Sequence, residues 1–318
     1  MQEMTKRITK KLARLADEHY DSCCLCNYKF KRGDTSHLGY DKNKKPLYVC
    51  DKCSSQLAET AIRYYFEPRP YILPPDKTFL WRYMDFSKYV SLISTKSLYF
   101  SRSDCFKDAF EGAKGLKRRK IIWDAYYAGF FCRAIETAPG GIGKKLSTKE
   151  IVSQANNLLQ EMNQNGNEER KHCFISCWHE NDIESEAMWS IYSHYIENAI
   201  AIRTTFKSLK ECFGENSNIA IGRVNYIDFE KSFAGVNESF WYKRKSFEYE
   251  KEVRAIIRNY KTESTGIELP VDLSKLLLDV YVSPYSPEWF YKVVQSVTKQ
   301  YGVKCLVSQS RLIQEPFY

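Results

Sequence analysis

Two Cys-x-x-Cys pairs near the start of the chain constrain its fold more than any other feature. Cys23 and Cys26 form the first pair, and Cys50 and Cys53 form the second. Each pair bends the backbone so that two thiolates face one point, and two such corners complete a tetrahedral zinc site. The spacing therefore predicts a structural zinc ion held by these four cysteines, because a site closed by four thiolates has no open position for a reacting molecule.

The residues around the cysteines resemble a treble-clef zinc module. The segment between the pairs predicts a short β-hairpin, and apolar residues recur at helical spacing after Cys53. Cys24 is an alternative to Cys23, although a single residue would then separate it from Cys26. Some treble-clef proteins are HNH-type nucleases with a histidine on this hairpin. His37 lies there, but no second His or Asn follows near the predicted helix.

The cysteine content and the lack of long apolar segments predict a cytoplasmic protein. The chain has 11 cysteines, and an odd, unevenly spread set suits a reducing compartment. No apolar run approaches the roughly 20 residues of a membrane span, so no membrane partner is expected. Residues 1–20 lack the apolar core of a signal peptide and instead predict a basic amphipathic helix.

The formal net charge of +9 predicts an acidic partner. DNA or RNA is the usual one, because phosphates attract a basic surface whatever the base sequence. The basic surface and the zinc module would both contribute to such binding. The alternative is a surface that only keeps the protein soluble, and the basic run Lys114–Lys120 then forms a solvated helix face.

A proline-rich segment predicts the domain boundary. Prolines interrupt helices and sheets, so residues 67–77 predict a stiff linker. Residues 1–66 then form an N-terminal helix and the four-cysteine zinc module, and residues 78–318 form the main domain. A protein acceptor or partner is a further expectation for such an arrangement.

The main domain predicts an α+β fold, with a mixed or antiparallel sheet and flanking helices. Its strand and helix patterns mix without a strict βαβ rhythm, and neither Gly-rich nucleotide fingerprint is present. Asp85 predicts a helix N-cap. Residues 147–150 form a capping box that opens a helix to about Met162, and residues 163–171 predict a loop.

Two acidic groups of the main domain are candidate sites. The sequence FEYEKEVRAII places Glu248, Glu250 and Glu252 at alternate positions, which share one face of a strand. That face is either solvated and ion-paired or the edge of a site. A helix is an alternative to the strand, because apolar residues in this stretch also recur at helical spacing. Asp108 and Glu111 form either a helix cap or a second acidic site.

Several segments carry a resemblance to known families. The strings LWRY, LYFSRSDCFKDAFEG, CFISCW, AMWSIYS, AIAIR and FEYEKEVRAII resemble a bacterial family over roughly residues 78–310, the domain of unknown function numbered twenty-nine seventy-one. That family name carries no reaction. More distantly, an Arg on a first strand, a Ser on a middle strand and Glu-x-Glu on a later strand are similar to the ADP-ribosyltransferases. This resemblance implies their fold and NAD as a substrate.

The resemblance also implies roles for four residues. Arg82 would hold an NAD phosphate or orient the loop beneath it, and Ser176 would brace the nicotinamide ribose and the catalytic glutamate. Glu252 would be the catalytic glutamate, and Glu250 would steer the acceptor. A carboxylate at the ribose suits the chemistry, because the bond to nicotinamide breaks through an oxocarbenium-like state with developing positive charge.

The chemistry of NAD adds cofactor-binding candidates. A cation must meet the pyrophosphate, and Arg82 or Arg102 could do so. An aromatic ring should cover the nicotinamide, with Trp189, Tyr192 and Tyr195 as the nearest candidates. The sequence therefore predicts an NAD-dependent ADP-ribosyltransferase or NAD-cleaving effector, such as a bacterial toxin or phage-defence protein that acts on nucleic acid. The alternative is a non-catalytic zinc protein that binds nucleic acid or a protein partner.

Overall fold

The structure is a computed structural model of the chain. It describes residues 6–9, 22–23, 25–31, 34–40, 46–53, 71–136, 146–192, 198–214, 219–235, 238–314 and 316–318. The chain divides into two compact units. The first comprises Met1–Arg69 and Ile121–Met162, and the second comprises Pro70–Lys120 and Asn163–Tyr318. The first division falls within the predicted linker, and the chain later returns to the first unit.

The described residues contain 14 β-strands and seven α-helices. The strands are β1 (Lys6–Thr9), β2 (Thr35–Tyr40), β3 (Pro46–Cys50), β4 (Phe79–Asp85), β5 (Ser97–Arg102), β6 (Cys173–Glu180), β7 (Ala199–Thr205), β8 (Ala220–Arg223), β9 (Asn225–Ile227), β10 (Tyr242–Arg244), β11 (Glu252–Arg258), β12 (Gly266–Pro270), β13 (Asp279–Val282) and β14 (Leu306–Gln309). The helices are α1 (Phe86–Thr95), α2 (Lys120–Glu136), α3 (Thr148–His172), α4 (Glu186–Tyr192), α5 (Phe206–Glu211), α6 (Leu273–Leu276) and α7 (Glu288–Gln300).

A three-stranded antiparallel sheet forms the β-structure of the first unit. Strands β2 and β3 pair as the predicted hairpin, with Ser36 opposite Cys50. Strand β1 pairs with β2, so a strand stands at Lys6–Thr9 where the sequence predicts a helix. Backbone hydrogen bonds to a neighbouring strand outweigh helical periodicity there. The rest of that predicted helix, and the one predicted after Cys53, lie outside the described residues.

Strand β6 is the branching point of the nine-stranded sheet in the second unit. Along one edge it pairs with β11 over its first seven residues, from Cys173 to His179. Its other edge is shared: β5 pairs with Phe174 and Ile175, and β4 pairs with His179 and Glu180. The sheet therefore forks, with β5 and β12 in one arm and β4, β7, β13 and β14 in the other.

The sheet is mixed, and the predicted α+β fold class is confirmed. Strands β13 and β14 are parallel, whereas the other pairs in this sheet are antiparallel. Strand β4 has apolar residues buried on both faces. Leu80 and Met84 join the large core cluster on one side, and Trp81 and Tyr83 join a second cluster on the other. Both faces of the central strands are thus covered, as expected for the middle of a layered fold.

Two helix caps lie where the sequence predicts them, but one helix is longer than predicted. The side chain of Asp85 accepts a hydrogen bond from the Lys88 N–H, and the capping box of Ser147 and Glu150 is reciprocal, so both predictions are confirmed. The loop predicted at residues 163–171 is wrong, because α3 continues to His172. Its last turn is held by the Ser103 hydroxyl, which donates to the Arg170 carbonyl at 2.8 Å. Among the described residues no helix is both long enough and apolar enough to cross a bilayer.

The glutamate-rich stretch is a strand only in its second half. Residues Lys245–Glu250 form a 3-10 helix, and Lys251 adopts a left-handed conformation with φ of 39°. Strand β11 then begins at Glu252. The prediction of three glutamates alternating along one strand face is therefore wrong. The β-branched residues that favour a strand follow Glu252, so the residues before it are free to turn.

A substitution at Gly112 tests how tightly this glycine packs against Phe240. Its φ is 72°, and an added Cβ would lie 2.6 Å from Cε1 of Phe240. We expect Gly112→Ala to lower the free energy of unfolding by about 2–4 kcal/mol, from backbone strain and overpacking together. Gly214 is the control, since its φ is 64° but no described atom lies within 4 Å. Urea denaturation that shows equal losses for both variants would contradict this packing.

Candidate active site at the fork of the sheet

A cavity of about 700 Å³ lies at the fork of the sheet. Its volume is in the range of small-molecule sites, and its wall combines aromatic and apolar side chains with a few charged ones. The wall is drawn from strands on both arms, from α1 and α4, and from the segment around Lys243 and Glu252. The lining residues are Trp81, Arg82, Tyr83, Met84, Lys88, Ser91, Leu92, Ser97, Leu98, Tyr99, Ser101, Phe106, Ile175, Cys177, Trp178, His179, Met188, Tyr192, Lys243, Glu250, Glu252 and Glu268.

Arg82 spans the fork. It lies on β4, where its Nη1 donates to Ser176 Oγ on β6 at 2.6 Å and its Nη2 donates to the Tyr99 carbonyl on β5 at 3.2 Å. The guanidinium also lies 5.8 Å from the ring of Trp178. One side chain thus connects the three strands that meet at the opening.

The charge of Arg82 has no carboxylate partner among the described residues. Its hydrogen-bond acceptors are a hydroxyl and a carbonyl, which are neutral. Burial lowers the pKa of Arg82, since the charged form loses hydration. A cation that is partly desolvated and uncompensated in a cavity wall favours an anionic ligand.

Glu250 and Glu252 face one ammonium group in the cavity wall. Lys243 Nζ lies 2.5 Å from Glu250 Oε2 and 3.2 Å from Glu252 Oε2. The turn at Lys251 separates the two glutamates, so they come from a 3-10 helix and a strand rather than from one strand face. Both carboxylates are buried. The ammonium offsets the repulsion between them.

The buried guanidinium of Arg254 binds the carboxylate of Glu252. Arg254 Nε donates to Glu252 Oε1 at 2.6 Å, and its two Nη groups bind Glu111 at 2.6 and 2.8 Å. The Phe240 carbonyl accepts a further bond from Nη1 at 2.6 Å. Arg254 is fully buried and Glu111 nearly so. Glu111 therefore belongs to the same charge network as Glu252, whereas Asp108 pairs with Arg244 at 2.7 Å.

The two glutamates have pKa values shifted in opposite directions. Burial raises the pKa of Glu250, and Lys243 opposes that effect only in part. Burial also acts to raise the pKa of Glu252, but Arg254 and Lys243 outweigh it and lower the pKa to about 2. Glu252 is thus ionised at neutral pH, and Glu250 is the stronger base of the two. Paired carboxylates with separated pKa values are typical of sites that perform acid–base and electrostatic catalysis.

Two further contacts orient Glu252. Its backbone N–H donates to the Tyr226 hydroxyl at 2.7 Å. The Cys177 thiol lies against its carboxylate, where a hydrogen bond from the thiol helps to lower the pKa of Glu252. Burial, and then the charge of Glu252, raise the pKa of Cys177 well above its usual value. Cys177 is therefore a protonated hydrogen-bond donor rather than a nucleophile.

Five of the predicted site residues meet at the cavity. Arg82, Glu250 and Glu252 line it, and Ser176 lies behind Arg82 as its hydrogen-bond partner. Tyr192 also lines the cavity, with 38% of its surface exposed. The arrangement brings together residues from the beginning, middle and later part of the main domain.

Other predicted residues lie elsewhere. Trp189 is fully buried, does not line the cavity, and its Nε1 donates to Glu184 at 3.2 Å. Arg102 also lies outside the cavity wall, where it pairs with Asp104 at 2.7 Å. Tyr195 lies outside the described residues.

Sequence reasoning missed Lys243 and the role of Arg254. Lys243 lies in a stretch of ordinary basic residues, WYKRK, with no motif around it. Arg254 occupies an apolar, β-branched run that predicts a strand, and a charged residue inside such a run is a signal for a buried ion pair. Its partner Glu111 is 143 positions away, so the pairing has no local signature.

The four predicted cysteines form a cluster that could hold a metal ion. The sulfurs of Cys23, Cys26, Cys50 and Cys53 lie within 4.8 Å of one another. The first pair sits in a tight turn, in which Asn27 has φ of 57° and its N–H donates to the Cys23 carbonyl at 2.9 Å. Cys24 lies outside the described residues, and His37 is on β2.

No family model and no curated protein matches the chain. The resemblance to family twenty-nine seventy-one therefore stays a prediction.

Three solved structures of Thermus sp. 2.9 DarT are similar to the chain, each with a TM-score of 0.33. The complex with carba-NAD+ is 9% identical and the match covers 76% of this chain and 100% of that one. The complex with NAD+ is 9% identical, covering 76% and 99%. The complex with ADP-ribosylated ssDNA is 10% identical, covering 77% and 100%. At this TM-score the similarity transfers neither residues nor an activity.

The low pKa of Glu252 predicts a pH-dependent contribution to stability. The folded pKa of about 2 lies below the ordinary value of 4.5, so the ionised carboxylate stabilises the fold above pH 4.5 and loses that effect as the pH falls toward 2. We expect Glu252→Gln to lose on the order of 3 kcal/mol at pH 7, and the difference from wild type to shrink below pH 4.5.

Urea unfolding of both proteins between pH 7 and pH 3 measures this difference. Glu168→Gln is the control, since Glu168 forms an exposed pair with Lys171 at 2.9 Å that should contribute less than about 1 kcal/mol. A difference for Glu252→Gln that stays constant over this pH range would show that its carboxylate is not held ionised by Arg254 and Lys243.

Proposed function

We propose that the cavity binds NAD and transfers its ADP-ribose to an acceptor. One observation carries the proposal: two buried carboxylates with opposite pKa shifts share a cavity with a guanidinium that has no carboxylate partner in the described part of the chain. Breaking a ribosyl bond needs a fixed negative charge, a proton acceptor and a site for the phosphates. Glu252, Glu250 and Arg82 fit these three needs in that order.

Binding of the dinucleotide rests on Arg82 and the aromatic wall. The pyrophosphate would supply the anionic partner that Arg82 lacks, through charge-assisted hydrogen bonds. Tyr192 lines the cavity beside Glu250 and Glu252, where its ring could cover the nicotinamide. Ser176 holds the Arg82 guanidinium in place. In this role Ser176 acts on the phosphate end through Arg82, rather than on the ribose.

Glu252 supplies the charge stabilisation in the transfer step. The bond between C1′ of the ribose and the nicotinamide nitrogen breaks, and its electron pair leaves with nicotinamide, which becomes neutral. Positive charge develops on the ribose, and an ionised carboxylate nearby lowers the energy of that state. Arg254 and Lys243 keep Glu252 ionised and oriented, so it needs no reorganisation as the charge appears.

Glu250 acts on the acceptor. As the acceptor's nucleophilic atom bonds to C1′, its proton passes to the Glu250 carboxylate. The raised pKa of Glu250 makes its carboxylate a stronger base than an ordinary glutamate, which suits a proton acceptor. Water in the same place would give NAD hydrolysis with the same groups.

The acceptor class follows from charge. The net charge of +9 supports a nucleic acid, or a protein bound to one, as the target. A toxin or phage-defence role and a cytoplasmic location stay predictions.

The cysteine cluster is proposed to hold a structural zinc ion. Zn–S bonds of about 2.3 Å in a tetrahedron separate the sulfurs by about 3.8 Å. Cys26 Sγ and Cys50 Sγ lie 3.7 Å apart, which fits that geometry. Because four thiolates complete the coordination, the ion would stabilise the module and would not take part in the reaction.

The catalytic proposal predicts a strong effect of one neutral substitution. We expect wild type to release nicotinamide from NAD, and Glu252→Gln to lower that rate at least about 100-fold, because the stabilising charge is lost. Nicotinamide release is followed by chromatography, with DNA, RNA and protein fractions as acceptors. Glu248→Gln is the matched control, since Glu248 is exposed and does not line the cavity. Absence of both NAD binding and turnover in wild type would favour the non-catalytic binding protein instead.

The zinc proposal predicts a metal content. Purified wild type should contain about one zinc ion per chain, and Cys50→Ser should lose most of it because three thiolates remain. Cys105→Ser is the control, since Cys105 is an exposed cysteine outside the cluster. Elemental analysis that finds the same zinc content in Cys50→Ser would rule out the four-cysteine site.

A further inference from the structure

His179 is a buried side chain in the cavity wall that the proposed chemistry leaves without a role. It lies near the end of β6 and lines the cavity, with 4% of its surface exposed. The β6–β11 register places it directly opposite Glu252. Side chains of directly opposed residues project from the same face of the sheet, with Cβ atoms about 4.5–5.5 Å apart. His179 and Glu252 therefore face the same part of the cavity.

The hydrogen bonding of His179 determines which ring nitrogen carries the proton. Nδ1 lies 2.6 Å from the Glu250 carbonyl oxygen, which can only accept. Nδ1 therefore carries the proton, and in a neutral ring Nε2 has a free lone pair. Burial lowers the pKa of His179, which favours this neutral form.

Nε2 of His179 is a buried hydrogen-bond acceptor. It has no hydrogen-bond partner among the described residues. A buried acceptor without a partner is unfavourable by about 1–3 kcal/mol. In the wall of a ligand cavity, the donor that would satisfy it is a group on the ligand. The lone pair selects a neutral donor such as a hydroxyl and repels phosphate oxygens, which Arg82 attracts instead.

We infer that His179 Nε2 accepts a hydrogen bond from a ribose hydroxyl of the bound nucleotide, beside the hydroxyl that meets Glu252. The inference rests on the proposed function and names the group recognised at that site. A ribose presents two adjacent hydroxyls, and Glu252 and His179 present two adjacent acceptors. If Glu252 takes the 2′-hydroxyl of the nicotinamide ribose, His179 takes the 3′-hydroxyl. The hydrogen bond from Nδ1 to the Glu250 carbonyl also connects His179, and through it the ribose hydroxyl, to the backbone of Glu250.

Two substitutions separate ligand binding from a structural role. Asn places an amide near the position of Nδ1, so His179→Asn keeps a donor for the Glu250 carbonyl and loses the acceptor at Nε2. Gln reaches the position of Nε2, so His179→Gln keeps an acceptor there and loses the bond to Glu250. Binding of a non-cleavable carbocyclic NAD analogue to the full chain is measured by calorimetry. We expect binding about tenfold weaker for His179→Asn and within about threefold of wild type for His179→Gln.

A second ligand identifies the recognised group. The same analogue without the 3′-hydroxyl on the nicotinamide ribose should bind wild type about tenfold more weakly, and His179→Asn should then cause no further loss. If removal of the 3′-hydroxyl and His179→Asn each weaken binding and the two fold-losses multiply, His179 contacts another donor. That result would overturn the ribose assignment. Wild-type affinity in His179→Asn, with weak binding in His179→Gln, would show a structural role. If wild type binds neither analogue, the proposed function itself fails.

Discussion

The fully buried guanidinium of Arg254 lies at the centre of the charge network around Glu252. Arg254 reaches Glu111, Glu252 and the Phe240 carbonyl, so each of its nitrogens has a partner. Burying such a charge is very unfavourable unless its partners are held in good geometry. The network therefore links strand β11 to the segments that carry Glu111 and Phe240, and it keeps Glu252 ionised although burial acts to raise the pKa of that carboxyl.

Arg254 and Arg82 have different partners and different exposure to the cavity. Arg254 is compensated by two carboxylates and is closed off from solvent. Arg82 has neutral partners on two strands and lies in the wall of the cavity. The sheet opens at Arg82 because β4 and β5 each pair with only part of β6. The neutral partners of Arg82 and the paired carboxylates of Glu250 and Glu252 support the proposal of a ligand that carries both phosphate and a reacting sugar.

Local sequence signals predicted local structure well. The caps at Asp85 and Ser147 were evident because capping depends on a few adjacent residues. The end of α3 was not, because its last turn is held by Ser103, far away in the chain. Glu250 and Glu252 were chosen as a pair from alternation along a strand. They do form a pair, but through the turn at Lys251 and the ammonium of Lys243.

By itself the sequence determined the α+β class and the four cysteines that form a cluster, because alternation and Cys-x-x-Cys spacing act over a few residues. The tertiary structure alone decided which charges meet. Arg254 and Glu111 are 143 positions apart, and Arg82 and Ser176 are 94 apart. Such contacts depend on the order of strands in the sheet and on where it forks. Three features follow from that arrangement: the ionisation of Glu252, the neutral partners of Arg82, and the absence of a partner for His179 Nε2 among the described residues.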